Sequence, residues 1–262
     1  MEQRIPKLIH YCWLGDNKPN FILRRCISTF YKLTGGGKII RWDESCLPEI
    51  NNEYISTLVA RKDWGFVSDP IRLYALYTQG GVYLDTDIEV KKPLPEKFFN
   101  AELVFGYAYD DIVCTAFIMA RPHHPFIKHL LDMYESFPLG ERVVNNSLFT
   151  QALMDYFPDF RLDGKYREFA PGCFIYPRYY FDSPTFRRDG GYTTHHGMGV
   201  WHQPRWRVVR WLRPLNKLAR FYIKPYGVWY QERVNRKMVL SSGRFLEIYK
   251  RNLMPTSERS LE

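Results

Sequence analysis

The chain has 262 residues, 45% of them hydrophobic and 25% charged, a globular composition long enough to bury one sizeable core. No run approaches the ~18 consecutive apolar residues of a membrane span, and Met1–Asp16 lacks the apolar h-region of a secretory leader, so neither is expected. The net charge of +9 is uneven: Trp201–Arg251 holds 13 Lys/Arg against 2 Asp/Glu, which leaves the rest about −2 and points the tail towards an anionic partner.

Leu8–Trp13 reads as a first strand ending in a Gly turn. Phe21–Tyr31 reads as a helix, with Ile22, Cys26, Ile27 and Phe30 at helical spacing. Lys38–Trp42 is a short strand after the Gly35–Gly37 turn. A helix over Val67–Thr78 is expected to start from Ser68 or Asp69 as N-cap with Pro70 at its first position. Gly80–Gly81 stops it, and Val82–Asp85 is the next strand. This alternation predicts an α/β sheet with parallel members. Leu103–Ala108 and Thr115–Ala120 follow as strands, Phe126–Glu135 and Ser147–Tyr156 as helices, and Phe174–Tyr180 and Gly191–His196 as short turn-bounded segments. The five cysteines (Cys12, Cys26, Cys46, Cys114, Cys173) form no CxxC pair and are expected reduced and buried.

The change of charge near Trp201–Pro204 divides a body, 1–202, from a basic helical extension, 203–262. Within 205–224, Arg207, Arg210, Arg213, Lys217, Arg220 and Lys224 recur at steps of three or four, one stripe of a helix. Opposite lie Val208, Trp211, Leu212, Leu215, Leu218, Ala219 and Tyr222, and Pro214 is expected to kink or split the helix. A basic amphipathic helix suits an anionic membrane surface. The alternative is a helix packed on the body with a solvated basic face. Nucleic acid is not expected, since no base-reading motif accompanies the charge.

The chemistry centres on GGVYLDTDIEV, Gly80–Val90. In a strand, Asp85 and Asp87 would point to one side, and two carboxylates that close repel unless a cation joins them. Hard carboxylate oxygens at the carboxyl end of a strand select Mg²⁺ or Mn²⁺, with substrate phosphates completing the sphere. Two other readings stand beside this one: a plain strand-end turn, and a haloacid-dehalogenase-type phosphatase with Asp85 as nucleophile. The phosphatase pattern wants Thr or Val where this chain has Glu89. A non-catalytic nucleic-acid binder acting through the tail is the rival from outside enzymology.

Upstream, FVSDPIRLYALYTQGGVYLDTD sets Asp69 and Arg72 three residues apart on one helix face. The whole string resembles the DxD region of glycosyltransferase family 32 and related glucosylating toxins through Asp69, Arg72, Leu76, Gly80, Gly81, Tyr83, Asp85 and Asp87. IPKLIHYCWLG resembles that family's opening strand, and THHGMGVW its closing segment. The resemblance covers about residues 4–202 and implies a GT-A fold: a Rossmann-like mixed sheet flanked by helices.

The resemblance also implies a retaining, metal-dependent transfer of a sugar from a nucleotide-sugar, with UDP expected, to a saccharide acceptor. Asp69, Arg72, Asp85 and Asp87 would be catalytic. Trp13 would stack on the base, with Tyr83, Asp85 and His196 also at the nucleotide. Asp85, Asp87 and His196 would hold Mn²⁺ or Mg²⁺. His196 is the match by alignment on Trp201, and His195 would face the opposite way. Where the family carries Asn in a later strand this chain has Thr115, and before Trp201 it has Gly199 and Val200 in place of the usual Ser. Taken with the tail, the expected setting is cytoplasmic, on the inner face of a membrane, extending a lipid-linked surface polysaccharide.

Overall fold

The hydrogen-bonded pairing of Leu8–Cys12 (β1) with two later strands organises the body. The computed structural model describes residues 3–50, 52–137, 139, 143–198 and 207–241, with backbone alone for 207–214 and 240–241. After β1 come helices Phe21–Ile27 (α1) and Tyr31–Thr34 (α2), then strand Lys38–Trp42 (β2). Helices Leu47–Ile50 (α3), Glu53–Ala60 (α4) and Trp64–Gln79 (α5) lead to strands Gly81–Leu84 (β3) and Ile88–Val90 (β4). Strands Leu103–Tyr109 (β5) and Ile112–Ala120 (β6), helices Pro125–Met133 (α6) and Asn145–Tyr156 (α7), and strands Arg167–Ala170 (β7), Cys173–Tyr176 (β8) and Thr193–His195 (β9) complete the body. Two further helices follow, Arg207–Tyr222 (α8) and Lys224–Ser241 (α9).

The main sheet has seven strands in the order β2-β1-β3-β6-β5-β8-β7. β2 and β3 run parallel to β1, whereas β6 runs antiparallel to both β3 and β5. This is the expected mixed α/β sheet: β2, β1 and β3 form a parallel half, and the other half is mixed, with β5 and β8 parallel and β6 and β7 antiparallel to their neighbours. A separate two-stranded ribbon pairs β4 with β9, Ile88 opposite His195.

Strand alternation fills a core on each face. Tyr83 points to the side of α4–α7 with Ile71, Leu76 and Phe149, while Val82 and Leu84 point to the side of Phe98, Phe117 and Phe181. All five cysteines are free and buried, as expected.

The sharp corner between α5 and β3 explains the paired glycines. Gly80 and Gly81 have φ of 63° and 109°, in the region that favours glycine. A Cβ on Gly81 would lie 2.7 Å from the Leu8 carbonyl, so only a bare backbone lets β3 close on β1.

Several boundaries depart from the sequence reading. The single helix expected over Phe21–Tyr31 is two, α1 and α2. The helix expected over Val67–Thr78 starts at Trp64, which makes Pro70 an interior residue. Pro70 removes one rung of the helix, and Asp69 is a buried partner of Arg72 instead of a cap. Pro214 does not split α8, which runs unbroken from Arg207 to Tyr222. The proposed boundary at Trp201–Pro204, together with Gly199, Val200 and Trp201, lies outside the described residues.

The two final helices contact the body. Asn235 in α9 exchanges two hydrogen bonds with Asp110, at 3.0 and 2.8 Å. Arg178 bridges Asp110 and Glu232 at 3.2 and 2.7 Å. In α8 the Lys217 ammonium donates to the Met198 carbonyl, and Arg220 lies over Tyr230 of α9. These two members of the basic stripe therefore face protein. Leu215, Leu218 and Tyr222 are exposed, as is Ile223 between the helices.

Candidate active site

The site lies beyond the carboxyl end of β3, at the edge where open α/β sheets bind ligands. β3 stops at Leu84, and Thr86 and Asp87 form a turn closed by the Ile88 N–H on the Asp85 carbonyl at 3.0 Å. The two aspartates are therefore presented by a turn, not by the strand alternation expected from sequence. They converge all the same: one ligand atom from each of Asp85, Asp87 and His195 lies within 4.8 Å of the others.

Asp87 is buried and accepts the Met198 N–H at 2.7 Å, and its other oxygen is 3.2 Å from His195 Nε2. Burial alone would raise its carboxyl, but the His195 charge and hydrogen bond outweigh burial and hold it at about 2. His195 Nδ1 lies 2.9 Å from Asp182, and the His195 N–H donates to the Asp182 carbonyl at 2.8 Å. Burial would lower the imidazole, yet Asp87 and Asp182 on either side hold it well above its ordinary value.

His196 takes the opposite side of β9. Its Nε2 is 2.9 Å from Glu89, and its ring packs 4.3 Å from Phe221. The expected order of the two histidines is thus reversed in space, with His195 beside the aspartates and His196 turned away. The alternation of a strand was read correctly but phased from Trp201, across residues that β9 does not include. Asp182, which fixes the phase, comes from a segment with no motif.

Asp69 and Arg72 form a buried pair at 2.8 Å behind Asp85. Arg72 also donates to the Thr115 carbonyl at 2.8 Å and approaches Asp85 at 3.4 Å. Thr115 stands where β6 loses register with β5, a bulge that turns its carbonyl towards Arg72. Burial pushes the Asp69 carboxyl up to about 7 despite Arg72. Asn145, at the start of α7, donates to Asp69 at 2.6 Å and accepts from the Thr115 hydroxyl at 3.1 Å. Asn145 thus comes from a helix, and the Thr115 hydroxyl orients it. Arg72 Nε is a buried donor without a hydrogen-bond partner among the described residues.

Tyr83, expected at the nucleotide, is buried. Its hydroxyl donates to Asp85 at 3.0 Å and its ring lies 4.6 Å from the Arg72 guanidinium, so it supports the site from below. Trp13 follows β1 and packs, partly buried, with Leu23, Cys26 and Met198. Its N–H donates to the Trp42 carbonyl at 2.9 Å and its indole N–H to the Asn17 carbonyl at 2.7 Å. Met198 thus joins Trp13 to Asp87, its side chain on one and its N–H on the other.

The donor set suits a divalent ion. Two hard carboxylates and one imidazole fit Mn²⁺ or Mg²⁺ better than a thiophilic metal. Asp85 is the open member, its side chain 29% exposed against 13% for Asp87. Asp182 on the far nitrogen of His195 is the carboxylate that commonly orients a ligating imidazole.

Comparison with known proteins finds a partial family match and several partial relatives. Residues 24–105 match the family described as "Glycosyltransferase sugar-binding region containing DXD motif". That match takes in Asp69, Arg72, Asp85 and Asp87, the residues gathered at the site. Inositol phosphoceramide mannosyltransferase 1 of Schizosaccharomyces pombe is 26% identical over 147 residues, 52% of this chain and 44% of the relative. Human alpha-1,4-N-acetylglucosaminyltransferase is 33% identical over 76 residues, 29% of this chain and 21% of the relative. The chain spans less than half the length of the curated relatives it matches. Among solved structures, PaToxG glycosyltransferase aligns at a TM-score of 0.47 and 22% identity, over 59% of this chain and 70% of that one.

Proposed function

We propose that the protein transfers a sugar, with retention, from a nucleotide-sugar to a saccharide acceptor, using a divalent ion held by Asp85, Asp87 and His195. The observation that carries this reading is the convergence of those three side chains beside the buried Asp69–Arg72–Asn145 cluster. A bound Mn²⁺ or Mg²⁺ would offset negative charge on the departing diphosphate. Asp87, held ionised, is the fixed carboxylate of the site. Asp85, more exposed, faces the ligand side. Tyr83 and Arg72 hold Asp85 from behind, so its carboxylate is oriented before anything binds. Asp69 and Arg72 are the groups proposed to meet sugar hydroxyls, and the unpartnered Arg72 Nε supports that placement. No second carboxylate is placed as a nucleophile in this reading, which is a front-face displacement with the leaving phosphate aiding deprotonation of the acceptor.

The donor is proposed to be a UDP-sugar and the acceptor a lipid-linked surface saccharide. The yeast relative, named for inositol phosphoceramide, gives one precedent for a lipid acceptor. We extend the proposal to peripheral attachment on the cytoplasmic face of a membrane through 205–224, supported by exposed Leu215, Leu218, Tyr222 and Ile223 on a basic segment. No described helix is long and apolar enough to cross a membrane.

A panel of UDP- and GDP-sugars, assayed for Mn²⁺-dependent release of nucleotide, tests the reading. Turnover of one or two donors is expected. Release of phosphate from simple monoesters, with no nucleotide-sugar turned over, would favour the phosphatase instead.

A further inference from the structure

The β4–β9 ribbon has two sides, and only one belongs to the site above. On the side of Thr194 and His196 there is a pocket of about 240 Å³, lined also by Pro184, Gly190, Gly191 and the end of α8. Five cations line it: Lys91, Lys92, Arg187, Arg220 and Lys224. Among the described residues no carboxylate lines it, although Glu89 pairs with Lys91 at 2.8 Å and Asp189 with Arg187 at 3.1 Å. Lys92 donates to the Arg188 carbonyl at 3.1 Å.

Arg220 and Lys224 make no ion pair among the described residues. Each lies against an aromatic ring, Arg220 4.7 Å from Tyr230 and Lys224 4.8 Å from Phe186. Arg220 Nε is a buried donor with no hydrogen-bond partner among the described residues. Leaving such a donor unpaired is unfavourable. Like charges gathered around a small concavity also repel unless an anion enters. A phosphoryl group meets both needs, since its several oxygens accept from a guanidinium and from ammonium groups together.

We propose that this pocket is a phosphate-binding subsite, separate from the metal centre, for a phosphate monoester or diester carried by a soluble molecule or by a phospholipid headgroup. Arg220 supplies the oriented donors, and Lys92 and Lys224 supply further charge from β4's far end and the start of α9. The pocket joins the body to the α8–α9 hairpin, so an anion there would also tie the hairpin to β9. The pocket shares no lining residue with the metal centre, so it stands apart from the proposed transfer reaction.

The test is titration of metal-free protein, in EDTA, with inorganic phosphate and glycerol phosphate, followed by calorimetry. Wild-type protein is expected to bind, and R220Q/K224Q to bind at least about tenfold more weakly, as loss of charge-assisted bonds requires. Asp87→Asn is the control for the other site and should bind phosphate as wild type does. Vesicles of phosphatidylcholine with or without phosphatidate distinguish the sources. Retention only on phosphatidate with no response to soluble phosphate assigns a headgroup, and a response to both assigns the phosphoryl group itself. Equal binding by wild type and R220Q/K224Q overturns the subsite, as does no binding of any phosphate by wild type. If the double variant does not fold, acetylation of wild-type protein decides: phosphate, or phosphatidate vesicles if only these bind, should protect Lys92 and Lys224 but not Lys128, and uniform labelling refutes the proposal.

Discussion

His10 makes an acid-sensitive joint beneath the catalytic corner. It is fully buried in β1, and its Nδ1 accepts the Trp42 indole N–H at 3.0 Å while its Nε2 donates to the Gly80 carbonyl at 2.8 Å. Both bonds require the neutral ring with its hydrogen on Nε2. A second proton on Nδ1 would face the Trp42 donor. Burial accordingly lowers His10 from 6.5 to about 4, the hydrogen bond to Gly80 only partly opposing it. Between those values the unfolded chain binds the proton and the folded chain does not, so stability falls as pH falls from 6.5 towards 4. At pH 5 linkage puts the loss from His10 alone at about 2 kcal/mol. A glutamine keeps a donor within reach of the Gly80 carbonyl and does not titrate. Urea unfolding followed by tryptophan fluorescence at pH 7 and pH 5 should therefore show wild type losing about 2 kcal/mol more than His10→Gln. His124, also lowered to about 4 by burial, is present in both proteins and cancels. Equal losses in the two proteins would show that the folded ring accepts the proton, and the joint as described would be wrong.

Three further outcomes follow from the site. His195→Ala should reduce metal-dependent turnover by at least about a hundredfold and His196→Ala far less, the scale at which disturbed metal shells lose activity. Parallel kinetics check this, and the reverse ranking would restore the alignment on Trp201. Asn145→Ala removes the 2.6 Å bond to Asp69 and should raise the donor KM while lowering stability by about 1–2 kcal/mol; an unchanged KM would detach Asn145 from the sugar. Trp13→Ala should weaken nucleotide binding by roughly 1–3 kcal/mol if the indole stacks on the base, with fluorescence quenching by the nucleotide as the wild-type readout. An unchanged dissociation constant would make Trp13 a packing residue only.

The parallel half of the sheet was legible because its signals are local. Lys38–Trp42 falls on its expected bounds, and the Gly80–Gly81 stop follows from the left-handed corner that β3 needs. The start of α5 was not legible. Pro70 reads as a first-turn residue by propensity, but burial of Val67, Asp69 and Arg72 in one helix outweighs one lost rung. In the site, Asp69, Arg72, Asp85 and Asp87 share one stretch of sequence and were found together. His195, Asp182 and Asn145 come from segments whose meeting is set by tertiary packing. A shift of one residue in the phase of β9 exchanged the two histidines, since each step along a strand reverses the side chain. Tyr83 was placed in the right cluster but on the wrong layer, because a motif records spacing and not depth. The folding of α8 and α9 onto Asp110, Arg178 and Met198 likewise rests on contacts between residues far apart in the chain.

Asp85, Asp87 and His195 are proposed to form a metal centre for nucleotide-sugar chemistry. Its most direct test is the rate of nucleotide release from the preferred donor, with Mn²⁺ and after EDTA, for wild type and Asp87→Asn. Wild type should be active only with the ion, and Asp87→Asn should lose at least about a hundredfold in either condition while keeping its far-ultraviolet dichroism. Release by EDTA-treated wild type at the Mn²⁺ rate, or by folded Asp87→Asn at the wild-type rate, would contradict the account.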